Sequence, residues 1–428
     1  MIEALANAWR VPELRWKLFF TIGMIALYRM GAFVPLPGVN REFLAQGGVD
    51  TGDNAITGLF GIFTGGAFNN LSIFALGIMP YITAAITMNL LTVAIPRLQQ
   101  LAREGETGQK KITQYTRYFT LALSFIQAVS VMLLFRSGAI GGGVLAGSTP
   151  LDLYLIVLTL TAGTMLIMWM GELISQYGIG NGISLIITAA IISQAPSGIQ
   201  TLFEGGSIFT IVIIGLLALM ILAAIVFVNE GQRRIPISYA KRQVGRRMTQ
   251  GGTTYLPMKV NMTGVIPIIF ASSLLIFPTA ILQFAGGNQE SLLVRVAQFF
   301  APGEIPYLFL FAILIILFTY FYTAVQFNPV EHADNLKKQG GYIPGIRPGE
   351  PTALYLNSVL TRITLFGALF LATVAVIPYV ILGFINVQIF LGGTSMLIVV
   401  GVALDFVRQL ESQLMMRNYE GFMRKQKS

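Results

Sequence analysis

The sequence predicts an all-α integral membrane protein that crosses the bilayer about ten times. Hydrophobic residues make up 54% of the 428 residues and charged residues only 11%, which is too little polar surface to cover a soluble globule of this length. A spanning helix needs roughly 20 mostly apolar residues, and stretches of about that length recur along the whole chain. The predicted spans are residues 18–36, 73–95, 118–135, 153–170, 183–203, 208–228, 265–284, 305–325, 363–384 and 390–407.

The distribution of basic residues predicts the orientation of these spans. Most of the 28 Lys and Arg residues fall on the side that holds both termini. The exceptions are Arg29, Arg41, Arg136 and Arg295. Because cytoplasmic segments of membrane proteins are enriched in Lys and Arg, we expect both termini in the cytoplasm.

The ten spans divide into two sets of five, as they do in inverted-repeat transporters and channels. This division gives a first half at residues 18–204 and a second half at residues 205–410. Residues 1–17 are expected to form an N-terminal amphipathic segment on the cytoplasmic membrane surface, because their apolar residues fall at helical spacing. Residues 411–428 form a predicted cytoplasmic tail.

Residue types exclude several classes of chemistry. The chain has no cysteine, which removes disulfides and thiolate nucleophiles, and its single histidine, His332, lies in a predicted solvated loop. The sequence lacks both the G-x-x-x-x-G-K-[ST] phosphate loop and the H-E-x-x-H zinc motif. The glycine cluster at residues 178–182 predicts a tight turn between two spans, since no strand precedes it. We therefore expect no enzyme activity, no cofactor and no metal.

The segment at residues 55–70, AITGLFGIFTGGAFNN, is apolar but too short to cross a bilayer. Its spacing alone favours an interfacial loop on the exterior side. The other interpretation is a short movable element inside a pore, because irregular backbone at membrane depth is tolerated only where it lines a cavity.

Two long cytoplasmic loops carry unusual composition. Residues 229–260 contain paired arginines and alternating apolar residues, which predict a protruding hairpin that docks an acidic partner or RNA. Residues 326–356 contain YIPGIRPGEPT, which predicts a stiff turn that presents Arg347. The alternatives are charges that only orient the chain in the first loop, and a plain structural loop in the second.

Charged residues are few within the predicted spans. Arg29 is expected to extend toward the outer interface, and Glu172, Arg362 and Asp405 lie near predicted helix ends. No buried charge pair is predicted. Because ion-coupled transporters usually need such groups at the midplane, this pattern disfavours ion coupling but leaves a carrier of a neutral solute open.

Eight motifs, spread over nearly the whole chain, resemble those of the bacterial SecY family. They are FTGGA (63–67), IFALGIMPYITA (73–84), EGETGQKKITQYTRY (104–118), YGIGNGIS (177–184), GQRRIPISYAKRQVGRR (231–247), LPMKVNMTGVIPIIFASS (256–273), NPVEHADNLKKQGGYIPGIRPG (328–349) and GGTSMLIVVGVALD (392–405).

The resemblance implies an hourglass pore between two inverted five-helix halves, in a multi-pass protein of the cytoplasmic (inner) membrane. It also implies a protein-conducting channel, which moves unfolded secretory polypeptides across the membrane and releases hydrophobic segments sideways into lipid. The implied partners are the small subunits SecE and SecG, the motor ATPase SecA, the ribosome, signal sequences with unfolded preproteins, and membrane lipid. A secondary transporter for a small solute is the alternative function, and an intramembrane protease comes third.

Roles for individual residues follow from the same resemblance. An aliphatic pore ring is implied at Ile78, Ile82, Ile183, Ile187, Ile269 and Ile398. A plug beneath the ring is implied at Gly58, Leu59, Phe60, Gly61, Ile62, Phe63, Gly65 and Gly66, which replaces the interfacial interpretation of this segment. A lateral gate is implied at Asn89, Asn261, Ser272 and Ser273, with Asn89 standing where many relatives carry glutamine. Docking of the ribosome and SecA is implied at Arg246, Arg247 and Arg347.

Overall fold

The computed structural model describes residues 9, 11–39, 61, 63–136, 149–205, 208–239, 242–244, 247–249, 252–284, 304–385 and 393–425. The helices, in chain order, are α1 (Pro12–Gly31), α2 (Met79–Ala94), α3 (Pro96–Arg103), α4 (Glu106–Arg136), α5 (Pro150–Tyr177), α6 (Gly182–Gly205), α7 (Ile208–Glu230), α8 (Ile266–Phe284), α9 (Ile305–Gln326), α10 (Pro329–Lys338), α11 (Glu350–Ile385) and α12 (Gly393–Lys425). The strands are β1 (Gln232–Tyr239), β2 (Arg242–Val244), β3 (Arg247–Thr249), β4 (Thr253–Lys259) and β5 (Gly341–Tyr342).

Proline and capping residues determine where many helices begin. Proline occupies the first or second position of α1, α2, α3, α5, α9 and α10. Proline has no amide hydrogen, and at these positions the helix does not need one, because the first amides of a helix have no acceptor within it. At the start of α5, the Thr149 amide donates to Asp152 Oδ2 at 2.8 Å and the Asp152 amide donates to Thr149 Oγ1 at 3.4 Å. Because α1 begins at Pro12, residues 12–17 of the predicted amphipathic segment belong to the first helix.

A helix covers at least part of every predicted span. Among the described residues, six stretches within α4, α5, α6, α7, α9 and α11 are long and apolar enough to cross a membrane. A further apolar pair, α2 with α3, is bent by 99°. The predicted all-α membrane fold is therefore confirmed, while the number of ten crossings stays a prediction. The predicted turn at residues 178–182 is also confirmed, since α5 ends at Tyr177 and α6 begins at Gly182.

Among the described residues, strands occur only in the predicted cytoplasmic loops. β1 pairs antiparallel with β4, in a register that sets Ile235 opposite Leu256, so the predicted hairpin is confirmed. β5 adds to the other edge of β1, which gives the strand order β4-β1-β5. β2 and β3 form a separate two-stranded ladder within the hairpin.

The second cytoplasmic loop differs from its prediction. Residues 326–356 contain helix α10, strand β5 and the first turns of α11, so the prediction that the whole segment is a loop was wrong. His332 accordingly lies on α10 rather than in a loop, exposed, with its ring stacked on Phe327 at 4.2 Å between centroids. Asn328 starts α10 by accepting the Val330 amide at 3.2 Å, a capping signal that the loop interpretation overlooked.

Apolar clusters show how the elements pack. The largest cluster, hereafter the central cluster, contains residues of α1, α2, α5 and α6 together with residues of α7, α8, α9, α11 and α12. Both predicted halves therefore contribute to one core. A second cluster packs α4 and α5 against Phe68 and Leu71, and a third joins β1 and β4 to α11. A fourth holds the start of α1 against Ile179 and α12.

Candidate functional site

The six isoleucines of the predicted ring, hereafter the isoleucine set, come from four helices. Ile78 directly precedes α2 and Ile82 lies in its first turn. Ile183 and Ile187 lie in the first two turns of α6, while α8 and α12 contribute Ile269 and Ile398. Five of the six side chains are at most 5% exposed, and Ile183 is half-buried.

All six isoleucines belong to the central cluster or pack against it. Ile78 and Ile82 are four residues apart, as are Ile183 and Ile187, so α2 and α6 each present two of them on one face. These side chains carry no polar atom. A constriction built from them offers water and ions no hydrogen bond, so it dewets while its methyl groups remain deformable.

The predicted plug segment, residues 58–66, is described in part. Gly58, Leu59, Phe60 and Ile62 lie outside the described residues. Phe63 is 5% exposed and, with the adjoining Ala67, packs in the central cluster that holds the isoleucine set. The described part of the segment is thus next to the same apolar core.

Side chains of two helices hold the backbone of this segment. The Gln194 side chain of α6 donates from Nε2 to the Gly61 carbonyl at 2.6 Å. Arg29 of α1 donates from Nη1 to the Gly65 carbonyl at 2.9 Å, and Ser193 Oγ donates to the same oxygen at 3.4 Å. The plug segment is therefore tied to both α1 and α6.

The structure gives Arg29 two contacts that the sequence did not predict. Its guanidinium donates to a backbone carbonyl and lies 5.5 Å from the centre of the Phe33 ring, while its position relative to the membrane interface stays a prediction. Sequence reasoning missed this role because backbone carbonyls carry no sequence signal. The surrounding glycines were the available hint, since Gly65 has φ +65° and a Cβ there would lie 2.8 Å from the Ala190 Cα.

The predicted gate residues occupy different environments. α2 packs against α8, and Asn89 of α2 is half-buried. Ser272 Oγ and Ser273 Oγ both donate to the Ile269 carbonyl of their own helix, at 2.9 and 2.7 Å. Asn261 lies before α8 and is 7% exposed.

Asn261 joins the ends of two helices. Its Nδ2 donates to Asn229 Oδ1 at 2.9 Å and to the Gly264 carbonyl at 3.1 Å, while Thr263 Oγ1 donates to its Oδ1 at 3.3 Å. The structure therefore places Asn261 at the root of the hairpin, between the end of α7 and the start of α8.

The two cytoplasmic loops form one folded unit, hereafter the cytoplasmic unit, consisting of β1, β4, α10, β5 and the start of α11. A shared apolar cluster holds it together, and its buried members are Ile235, Met258, Phe327, Ile343, Leu356, Val359 and Leu360. Arg347 is exposed on this unit, and its carbonyl accepts Thr352 Oγ1 at 2.8 Å. Arg247 lies on β3 opposite Val244, and Arg246 lies outside the described residues.

An ion pair that the sequence did not predict joins α4 to α5, and because its Arg117 side chain is 41% exposed it is not a buried pair. Arg117 donates to Glu172 from Nε at 2.9 Å and from Nη2 at 2.6 Å. The Glu172 side chain is only 19% exposed. The sequence did not reveal the pair because its members are far apart in the chain and meet only when the two helices pack.

A second polar connection ties α12 to the root of the hairpin. Arg408 Nη2 donates to Glu230 Oε1 at 2.8 Å and to the Asn229 carbonyl at 2.7 Å. Among the described residues, no group of three or more His, Cys, Asp or Glu side chains is arranged to hold a metal ion. Arg408 therefore connects α12 to the end of α7.

The fold and the site define a class: a multi-pass membrane protein whose helices converge on an aliphatic core, with a glycine-rich segment held beside that core. A family model described as SecY matches residues 72–407. The chain belongs to the SecY family.

Relatives cover the whole chain. A "Protein translocase subunit SecY" of Streptomyces galbus is 46% identical over 441 residues, covering 99% of this chain and 100% of the relative. The protein of the same name from Mycobacterium tuberculosis (strain ATCC 25618 / H37Rv) is 47% identical over 443 residues, with the same coverage.

Solved structures share the fold. One described as "The structure of a protein conducting channel" matches with a TM-score of 0.64 and 21% identity, covering 92% of this chain and 91% of that one. Another, "Sec61 in the Canine ribosome-channel complex from the endoplasmic reticulum", matches with a TM-score of 0.62 and 20% identity over the same shares.

Proposed function

We propose that this chain forms a protein-conducting channel in the cytoplasmic membrane, through which unfolded secretory polypeptides pass. One observation carries the proposal: the isoleucine set, drawn from four helices of both halves, lies in a single buried apolar cluster. Membership of the SecY family, whose relatives are named protein translocase subunits, supports it. Both termini face the cytoplasm, as the distribution of basic residues predicts.

The ring acts as a seal that does not select its cargo. Aliphatic side chains form no directional bonds, so a passing polypeptide displaces them without being held at any one sequence. A polar ring would bind some segments and conduct ions. When the channel is idle, the dewetted constriction blocks water and ions.

The plug segment provides a second barrier. Phe63 and Ala67 pack on the core that holds the ring, so the segment is placed to fill the space beside the constriction. Moving aside would expose Phe63 and break the hydrogen bonds to Arg29 and Gln194, and this cost keeps the idle channel closed.

Hydrophobic segments leave through the seam between α2 and α8. A signal sequence that moves from an aqueous channel into lipid gains roughly 25 cal/mol for each Å² of apolar surface removed from water. Asn89, Ser272 and Ser273 lie on the two helices that form this seam. Opening therefore depends on how much apolar surface the signal sequence carries.

The cytoplasmic unit docks the partners that drive transport. Arg246 and Arg247 contact the ribosome, and Arg347 couples the channel to SecA. SecE and SecG complete the complex. The energy for movement comes from ATP hydrolysis by SecA, from chain elongation at the ribosome or from the proton-motive force.

The test is reconstitution of the chain with SecE and SecG in vesicles, followed by addition of SecA, ATP and a secretory precursor. We expect the precursor to become resistant to external protease only when all components are present. Vesicles without this chain are the control. A chain that accumulated a small solute but never protected a precursor would be a secondary transporter instead.

A further inference from the structure

Side chains from outside the plug segment donate hydrogen bonds to the backbone carbonyl oxygens of two of its described glycines. Gln194 binds the Gly61 carbonyl and Arg29 binds the Gly65 carbonyl, at 2.6 and 2.9 Å. We propose that Arg29 and Gln194 form a latch, which positions the plug segment in the closed channel and sets the threshold for its opening. The inference rests on the plug role proposed above.

The charge of Arg29 is directed at the plug segment. Arg29 is half-buried, and within the described residues no carboxylate forms an ion pair with it. Its closest polar contact given by the structure is the Gly65 carbonyl. A hydrogen bond from a charged donor is stronger than a neutral one, so this contact contributes more to the closed state than an ordinary backbone bond.

The position of Gly65 explains why the latch closes tightly. At φ +65° the residue adopts a left-handed conformation that glycine takes without strain. A Cβ at this position would lie 2.8 Å from the Ala190 Cα and 2.9 Å from both Arg29 Nη1 and Ser193 Oγ. Because no side chain intervenes, the carbonyl of Gly65 reaches donors on α1 and α6 together.

Helix α6 carries one residue of the latch, Gln194, and two isoleucines of the proposed ring. Ser193 and Gln194 lie at the middle of α6, the helix that carries Ile183 and Ile187 in its first two turns. α1 packs against α6, and the plug segment bonds to both helices. A displacement of α6 relative to α1 during opening would therefore pull the two donors apart and release the segment as the ring widens.

The test compares idle ion flux through the complete complex, the chain with SecE and SecG, in planar bilayers. We expect R29Q and Q194L each to raise the idle open probability about tenfold, equivalent to about 1.4 kcal/mol. R29K should give a smaller rise, since it keeps the charge and one donor. R136Q is the matched control: Arg136 is exposed at the end of α4, and its replacement should leave the flux unchanged. Normal precursor transport by each variant establishes that it is folded.

Deletion of residues 56–66 separates the latch from a general structural role. In the deleted chain the R29Q change should add no further flux, because the carbonyl oxygens that Arg29 and Gln194 hold are gone. Extra flux from R29Q in that background would overturn the latch. Unchanged flux in R29Q and Q194L, beside raised flux in the deletion, would overturn it while leaving the plug role standing. A deletion without raised flux would remove the plug role itself.

Discussion

Isoleucine at the centre of the fold serves two needs that usually conflict. In the proposed ring, Ile187, which is only 1% exposed, closes the channel to ions by excluding water. The same side chain must also give way to any polypeptide. A branched aliphatic group meets both needs because its contacts are many, weak and without direction.

The first prediction concerns the chemistry of this position. Ile187→Asn should raise idle ion flux about tenfold, since a buried amide without partners costs about 1–3 kcal/mol in the closed state and attracts water. Ile187→Val, which keeps the position apolar, should stay near the parent flux. Conductance of the reconstituted complex measures both, and equal flux in the two variants would contradict a dewetted seal.

A second prediction concerns Asn261 at the hairpin root. Asn261→Leu removes the donor to Asn229 and Gly264 and should destabilise the closed arrangement of α7 and α8 by about 1–3 kcal/mol. Less hydrophobic signal sequences should then be accepted. Thr373→Ala is the control, because that exposed hydroxyl bonds to Leu369 within its own helix and lies outside the seam of α2 and α8. The same threshold in a graded series of signal sequences would count against this role.

Residue identity could be predicted where a family pattern or an apolar run carried it. The isoleucine set was predicted in this way, and the structure places its members in or against the central cluster. The donors that hold the plug segment, Arg29 and Gln194, were not predicted. Their partners are the backbone carbonyl oxygens of Gly65 and Gly61, and because every residue has such an oxygen, the sequence does not show which ones are bound. Only the folded positions of α1 and α6 show which carbonyls they meet.

At the scale of elements, the span pattern predicted helices well and their connections poorly. The hairpin of β1 and β4 was predicted from alternating apolar residues, whereas α10 was missed within a loop rich in proline and glycine. The joining of both loops into the cytoplasmic unit could not be predicted, because Ile235 and Leu356 meet through tertiary packing alone. The two loops thus form one platform instead of two separate surfaces.

A third prediction tests docking on this platform. Arg347→Glu should reduce SecA-driven precursor transport at least about tenfold, since a contact between opposite charges becomes repulsive. Its side chain is exposed, so insertion and folding should be unaffected. Lys338→Glu, an equal charge reversal on exposed α10, is the matched control. An equal loss in both variants would point to overall charge rather than to Arg347.

A fourth prediction concerns the pair that joins α4 to α5. Arg117→Met and Glu172→Gln should each lower the free energy of unfolding by about 1–3 kcal/mol, and the double variant by less than their sum. Because the Arg117 side chain is 41% exposed, the coupling should fall at the low end of that range and weaken with salt. Thermal unfolding of all four proteins in detergent measures the coupling, and strict additivity would show that the pair contributes nothing.

At the scale of the whole molecule, one core has to hold together and also open. The central cluster takes residues from α1 to α12, so the two halves share their packing instead of forming separate domains. Polar connections such as the one between Arg408 and Glu230 lie at one end of the central cluster. In the predicted orientation this end faces the cytoplasm. In the proposed opening, the apolar contacts at the centre would be disturbed, while polar connections such as Arg408 with Glu230 would hold the ends of the helices together.

The last prediction concerns how this whole assembly sits in the membrane. The chain has no cysteine, so a single introduced thiol is the sole target for a membrane-impermeant maleimide. Thr254→Cys, exposed on β4, should react only from the cytoplasmic side, because the hairpin lies among the basic segments that the positive-inside rule retains there. Ser137→Cys, next to Arg136 after α4, should react only from the exterior. The unsubstituted chain should remain unlabelled from either side. Labelling of both cysteines from one side would mean that α5, α6 and α7, which separate the two positions, do not cross the membrane an odd number of times, and the channel orientation would have to be abandoned with it.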